Sequence, residues 1–238
     1  YYGPFRTRAS AEEFESRFLD LFQLRRCSED LEPSPEHPGC MYGEMNLCLR
    51  PCQAVVTFEE YRSEANRVVE FFSTDGRSLL DTVLHARDRL SQELNFEEAA
   101  EQHRSAEKIQ QVLKLRDELV RDIDKLHGVA VTPSVVPECV ELWFVIAGAW
   151  QPPRRFSLTA EGGIAVSLDR RLREIVESLS PARVSTRDRQ EDLALLARWF
   201  YASERQGEWL PFENIADPPY RRIVNAISRV AHPKQPAA

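Results

Sequence analysis

Cys27, Cys40, Cys48 and Cys52 place four of the chain's five thiols in one run, spaced C-x12-C-x7-C-x3-C. Four thiols that close together suit a metal. Zinc and iron–sulfur clusters are both held by cysteine thiolates. Zinc ribbons and knuckles favour C-x2-C pairs, which turn tightly around one ion, and this chain has none. A cubane spreads its irons over several ångströms and tolerates wider gaps. Spacing alone leaves iron–sulfur, zinc and plain reduced cysteines open. Cys139 stands apart in a Val-rich stretch and reads as a small buried hydrophobe. The first residue is Tyr and not Met, and the expectation is a fragment or excised segment. No signal peptide pattern is present, and no apolar run approaches the roughly 20 residues of a membrane span. The expectation is a cytoplasmic protein, where clustered thiols stay reduced.

The elements that would position these thiols are mostly helical. Ser10-Ala11-Glu12-Glu13 has the capping-box pattern, and Phe14, Phe18, Leu21 and Phe22 follow at helical spacing. Residues 28–39 carry Pro33, Pro35, Pro38 and Gly39 and read as a solvated excursion between the first two thiols. Gly43 and Pro51 make 40–52 a compact, irregular loop. Thr57-Phe58-Glu59-Glu60 is a second capping box, opening a helix with Tyr61, Ala65, Val68, Val69 and Phe72 on its apolar face. Two more helices follow: 78–94, with Leu79 to Leu94 inward, and 96–126, with Phe96, Ala99, Ala100 and Ile109 to Ile123 inward. The second would be about 46 Å long. Together they predict an antiparallel helical hairpin, either closing its own core or presented to a partner.

Beyond Gly128 the composition shifts. Residues 129–140 are β-branched and broken by proline. A buried strand is predicted over 141–148 and a return strand over 149–160, with a turn at Glu161-Gly162-Gly163. Helices over 167–179, 186–203 and 219–230, a short extended piece at 209–212 and a frayed tail at 232–238 complete the chain. The predicted fold is mostly α with a smaller α+β C-terminal unit: a four-cysteine region at 1–74, a hairpin at 75–127 and an α+β domain at 128–238.

Charge limits the function classes. The formal net charge is −7. Such a balance excludes a dominant phosphate-neutralising surface; DNA contact would fall to local patches such as Arg6/Arg8 or Arg25/Arg26. His85, His103 and His127 read as helical residues in surface or packing roles. Trp199, Phe200 and Tyr201 read as helical core, with stacking on single-stranded DNA the alternative. No nucleophile–base pairing marks residues 128–238 as a hydrolase.

Several runs resemble the segment that follows the nuclease module of UvrC excinucleases. They are Tyr2-Gly3-Pro4-Phe5, Leu21-Phe22-Gln23-Leu24-Arg25 with Cys27, Cys48-Leu49-Arg50-Pro51-Cys52, and Glu59-Glu60-Tyr61. The resemblance covers roughly residues 1–126. It implies that Cys27, Cys40, Cys48 and Cys52 hold a 4Fe–4S cluster, with zinc as the alternative. Leu94-Asn95-Phe96-Glu97-Glu98-Ala99-Ala100 resembles the UVR motif, through which UvrC docks the helicase-like UvrB. That implies a partner surface at Phe96, Glu97, Ala99, Ala100, His103 and Arg104. The last two depart from the family's usual Arg-Asp, a change of charge that can alter partner choice. The family's GIY-YIG pair is not found in this sequence, so no incision chemistry is expected from it. DNA would be met through the intact protein, and no membrane is implied. Residues 128–238 look like the tail of shorter UvrC-like or Cho-like proteins.

Overall fold

The computed structural model describes residues 1–159, 167–179 and 184–233. The chain forms two compact units, Phe5–Val120 and Tyr1–Pro4 with Arg121–Ala238. Eight α-helices and a small antiparallel sheet are found among the described residues. None of these helices is long and apolar enough to cross a membrane.

The first unit is helical: α1 (Arg8–Leu19), α2 (Met41–Glu44), α3 (Phe58–Ser73), α4 (Arg77–Gln92) and α5 (Phe96–Lys114). Thr7 caps α1, not Ser10. The Thr7 hydroxyl accepts from Ser10 N at 3.0 Å, and Ser10 reaches back to Thr7 N at 3.1 Å. Ser10 therefore fills the N3 place that Glu or Gln takes in the usual box. It can do so because Asp117 accepts from both Ser10 Oγ (3.1 Å) and Arg6 N (2.7 Å) and fixes the turn. Thr57 and Glu60 do form the box that opens α3.

Packing in this unit centres on phenylalanine. Phe14, Phe18, Phe22 and Phe71 are all buried. The Phe18 ring lies 4.6 to 6.0 Å from those of Phe72, Phe22, Phe71 and Phe14. The apolar face of α3 is shifted from the predicted one. Phe71 and Glu64 are its buried residues, and Val69 is exposed.

α4 and α5 pack against each other across a three-residue turn. Leu94 in that turn takes a left-handed backbone (φ 61°), which throws its side chain out to solvent. Phe96 is exposed as well, so neither residue lies inward as periodicity suggested. α5 ends at Lys114, twelve residues before the predicted end. The apolar rhythm continues, but Leu119, Val120, Ile123 and Leu126 are buried through a turn, a strand and a 3-10 turn. The cause is nonlocal. Arg121–Asp122 (β2) pairs antiparallel with Tyr2–Gly3 (β1), a stretch that read as a simple turn. Asp122 then caps the 3-10 turn by accepting from Asp124 N at 3.1 Å.

The second unit holds an antiparallel sheet of β3 (His127–Pro133), β4 (Cys139–Ile146), β5 (Ala149–Trp150), β6 (Arg154–Ser157) and β7 (Glu208–Phe212). The order is β5-β4-β3-β7, with β6 also on β4. Pro152-Pro153 splits the predicted return strand in two, since proline has no N–H for the ladder. Alternation sends Val129, Val131, Val140, Leu142, Phe144 and Ile146 to one face, against α6 (Leu168–Glu177) and α8 (Tyr220–Ala231). The other face carries Ala130, Thr132 and Trp143 toward α7 (Thr186–Phe200). Cys139 is only partly buried, at the start of β4. Phe200 is buried, whereas Trp199 is partly exposed. The Gly162-Gly163 turn and residues 234–238 of the tail lie outside the described residues.

His127 starts β3 and is not helical. Its Nδ1 accepts from Ala147 N at 2.9 Å, so the ring is neutral with its proton on Nε2. Burial, and then Arg121, hold its pKa below the ordinary 6.5. A depressed histidine contributes stability that is complete above the unfolded value and is lost as pH falls toward the folded value. The second unit should therefore unfold at lower urea below about pH 6.5. His127→Gln should flatten that dependence in urea titrations between neutral and mildly acidic pH.

Candidate metal centre

The cysteine loop hangs from the chain between α1 and α3. Gln23 is its main fixing point. Gln23 N donates to Glu64 Oε1 at 2.8 Å, and Leu49 N donates to Gln23 O at 3.0 Å. The Gln23 side chain donates to Asn46 O at 2.9 Å. Two residues on, Arg25 N donates to the Tyr61 hydroxyl at 3.0 Å. Thus α3 holds the strand entering Cys27 by two side chains, while Gln23 holds the segment carrying Cys48. Glu64 is 7% exposed and keeps its charge company with Arg67 at 2.6 Å. A buried carboxylate bonded to both a backbone N–H and a guanidinium is satisfied, and breaking either bond leaves it costly.

The excursion at 28–39 is exposed in most of its residues but tied at its end. Ser34 N donates to Cys52 O at 2.9 Å, and Gln53 Nε2 donates to His37 O at 3.2 Å. Gly39 (φ 79°) lies under the Gln53 side chain, where a Cβ would stand 2.8 Å from Gln53 Nε2. Cys40 immediately precedes α2 as its N-cap residue. Non-glycine residues Asn46, Arg50 and Ala54 also take left-handed backbone, at φ 57°, 55° and 50°. Such conformations persist where surroundings over-determine them, and they cluster at functional sites.

All four cysteines are free thiols; Cys48 and Cys52 are buried, and Cys27 and Cys40 are partly buried. Burial pushes the Cys48 thiol up, and Cys40, Cys52 and Cys27 each add to the rise. The other three thiols thus lie near enough to Cys48 to oppose its ionisation, an effect that a cationic centre would reverse. Two sulfurs already accept hydrogen bonds. Arg25 Nε lies 3.1 Å from Cys27 Sγ, and Arg50 N lies 3.4 Å from Cys48 Sγ. Donors aimed at thiolate sulfur are the outer contacts that tune a metal–thiolate centre. Among the described residues, no three His, Cys, Asp or Glu side chains are grouped to hold a single metal ion.

The remaining candidates lie on α5. Glu97, Ala100, His103 and Arg104 are exposed along with Phe96, whereas Ala99 is buried. Only one of the two small residues thus lies where helices approach. His103 and Arg104 lean on Glu107 (3.7 Å) and Glu101 (4.0 Å) within the same helix. His85 is exposed on α4. Sequence reasoning missed Gln23 and Glu64. The signal for Glu64 was present: an acid at i+3 from Tyr61, on the apolar stripe of α3.

Part of the chain is similar in sequence to known proteins. Residues 1–71 match the middle domain of the UvrC/Cho excinucleases. UvrABC system protein C of Aliivibrio fischeri is 28% identical over 160 residues, covering 66% of this chain and 26% of that protein. Its counterpart in Serratia proteamaculans is 28% identical over 170 residues, 70% of this chain and 27% of that one. The Ruminiclostridium cellulolyticum protein is 21% identical over 215 residues, 87% and 34% respectively. No solved structure matches. The likenesses support a UvrC/Cho-like excinuclease family for this chain, which spans about a quarter to a third of the length of these relatives.

Proposed function

We propose that this chain is the cysteine-cluster and UVR-like portion of a UvrC/Cho-like nucleotide excision repair endonuclease, without incision chemistry of its own. Cys27, Cys40, Cys48 and Cys52 would hold a 4Fe–4S cluster. When bound, that group supplies iron–thiolate bonds and a redox-capable centre. The chain's own residues do the positioning. Gln23, Glu64 and Tyr61 fix the loop, while Arg25 and the Arg50 amide donate to sulfur. One observation carries the reading: four free thiols, two of them buried, share a loop that α3 holds in place through Glu64 and Tyr61. The alternative is a zinc-stabilised interaction module built on the same four thiols. α4 and α5 would present exposed Leu94 and Phe96 to a UvrB-like helicase, with DNA met through the intact protein.

Anaerobic purification tests the cluster. Brown protein with a broad visible absorption band, containing iron and acid-labile sulfide, supports it. Colourless protein with one zinc per chain supports the alternative instead.

A further inference from the structure

The face of the sheet opposite the core carries a cleft of about 670 Å³. Trp143 on β4, Trp150 on β5 and Trp199 on α7 line it, three of the chain's four tryptophans. Trp143 and Trp150 stand nearly perpendicular, at 82°, with ring centres 6.2 Å apart. Trp143 is 37% exposed, and Trp150 and Trp199 are partly exposed. The volume falls in the range of small-molecule sites, about 300–1,000 Å³.

Charge and hydrogen bonding narrow the ligand. Among the described residues, Asp192 is the one charged residue lining the cleft. Its carboxylate accepts from Trp150 N at 3.0 Å and forms no ion pair among the described residues. Burial pushes the Asp192 carboxyl above its ordinary range, and Asp188 and Glu191 add to the rise against that N–H bond. An anion would meet this negative charge. It would also find no free indole donor. Trp143 donates to Thr132 Oγ1 at 3.1 Å, Trp150 to Asp192 O at 3.0 Å, and Trp199 to Gln206 O at 3.2 Å. What the rings have left is their π faces, which are negative and attract cations. The molecule already shows that attraction once. The Arg205 guanidinium lies over Trp199, 5.6 Å from the ring centre, and does not line the cleft. Trp143 and Trp150 carry no such cation among the described residues.

We propose that this cleft binds an organic cation, an alkylated ammonium or a guanidinium. The faces of Trp143 and Trp150 hold the cationic head, and the Asp192 carboxylate balances its charge. A cation is the ligand that uses both features at once. An uncharged apolar ligand would cover Asp192 and leave its charge unpaired, which is costly. The cleft lies wholly in the second unit, so no outcome here bears on the cysteine reading.

The test follows tryptophan fluorescence of the full chain against pairs of probes alike in shape and different in charge. Choline is paired with its uncharged carbon analogue, dimethylbutanol. Acetylarginine amide is paired with acetylcitrulline amide. In at least one pair the cation should bind about tenfold tighter than its neutral partner. The pair that shows the preference tells whether the head is an ammonium or a guanidinium. Asp192→Asn keeps an oxygen for Trp150 N and removes the charge, so it should erase the preference with melting unchanged. Trp143→Ala should weaken the cation about tenfold. Equal binding of cation and neutral partner in both pairs overturns the proposal, as does failure of both cations to bind. So does a preference that Asp192→Asn and Trp143→Ala both leave intact.

Discussion

Cys48→Ala should abolish the proposed cluster binding and lower the melting temperature of the first unit by about 10 °C or more, several kcal/mol for a chain of this size. Cys48 is 5% exposed and neighbours all three other thiols. As a bare thiol it would be a small buried side chain, and its loss would cost little. As a ligand it is one of four, and structural metal centres contribute on the order of 10 kcal/mol to the folds they hold. The surrounding loop needs such support. Asn46, Arg50 and Ala54 each sit in left-handed backbone without being glycine, at roughly 1–2 kcal/mol apiece. Gln23 and Glu64 supply part of the restraint, but they touch only the entry strand and the 46–49 segment. The control is Cys139→Ala, which changes a thiol at the start of β4, in the other unit. Metal content and thermal melting of the two variants decide the matter. Equal melting for Cys48→Ala and the parent would remove the metal role.

What the sequence made legible was local. The cysteine run, the Thr57 box and the change to β-rich composition near Gly128 depend on neighbours in the chain. What it hid was set by distant partners. α5 stops at Lys114 because Arg121–Asp122 has a better use in pairing with Tyr2–Gly3, more than a hundred residues earlier. Periodicity does not register that competition, because Leu119 and Leu126 are fully buried either way. Gln23 was missed because all four of its bonds are made by its backbone and side-chain amide groups, which carry no pattern. The tryptophan cleft was hidden similarly. Trp143, Trp150 and Trp199 come from separate elements, and only sheet register and the placement of α7 bring them together.

Phe71→Ala should cost about 3–5 kcal/mol in urea unfolding of the first unit, the usual range for deleting a buried ring. Phe71 is 1% exposed. It meets Phe22 edge-on at 5.8 Å and Phe18 at 5.3 Å, and so joins α3 to α1 and the segment just after it. Little can collapse into the vacated space. Gly76 has already brought its backbone close enough that an added Cβ would lie 3.1 Å from the Phe71 ring, and Leu113 closes the other side. The effect should reach the thiols. Phe22 directly precedes Gln23, and Glu64 lies seven residues before Phe71 on the same helix, so loosening this contact loosens the bond between Gln23 N and Glu64. Reduced metal retention should accompany reduced stability. Phe96→Ala provides the contrast, because its ring is 64% exposed and touches no core. It should shift the unfolding midpoint by no more than about 0.5 kcal/mol, while weakening capture of a UvrB-like partner. A Phe71→Ala protein within about 1 kcal/mol of the parent would mean that the phenylalanine cluster does not hold α1 on α3. The loop's geometry would then have to come from the metal alone.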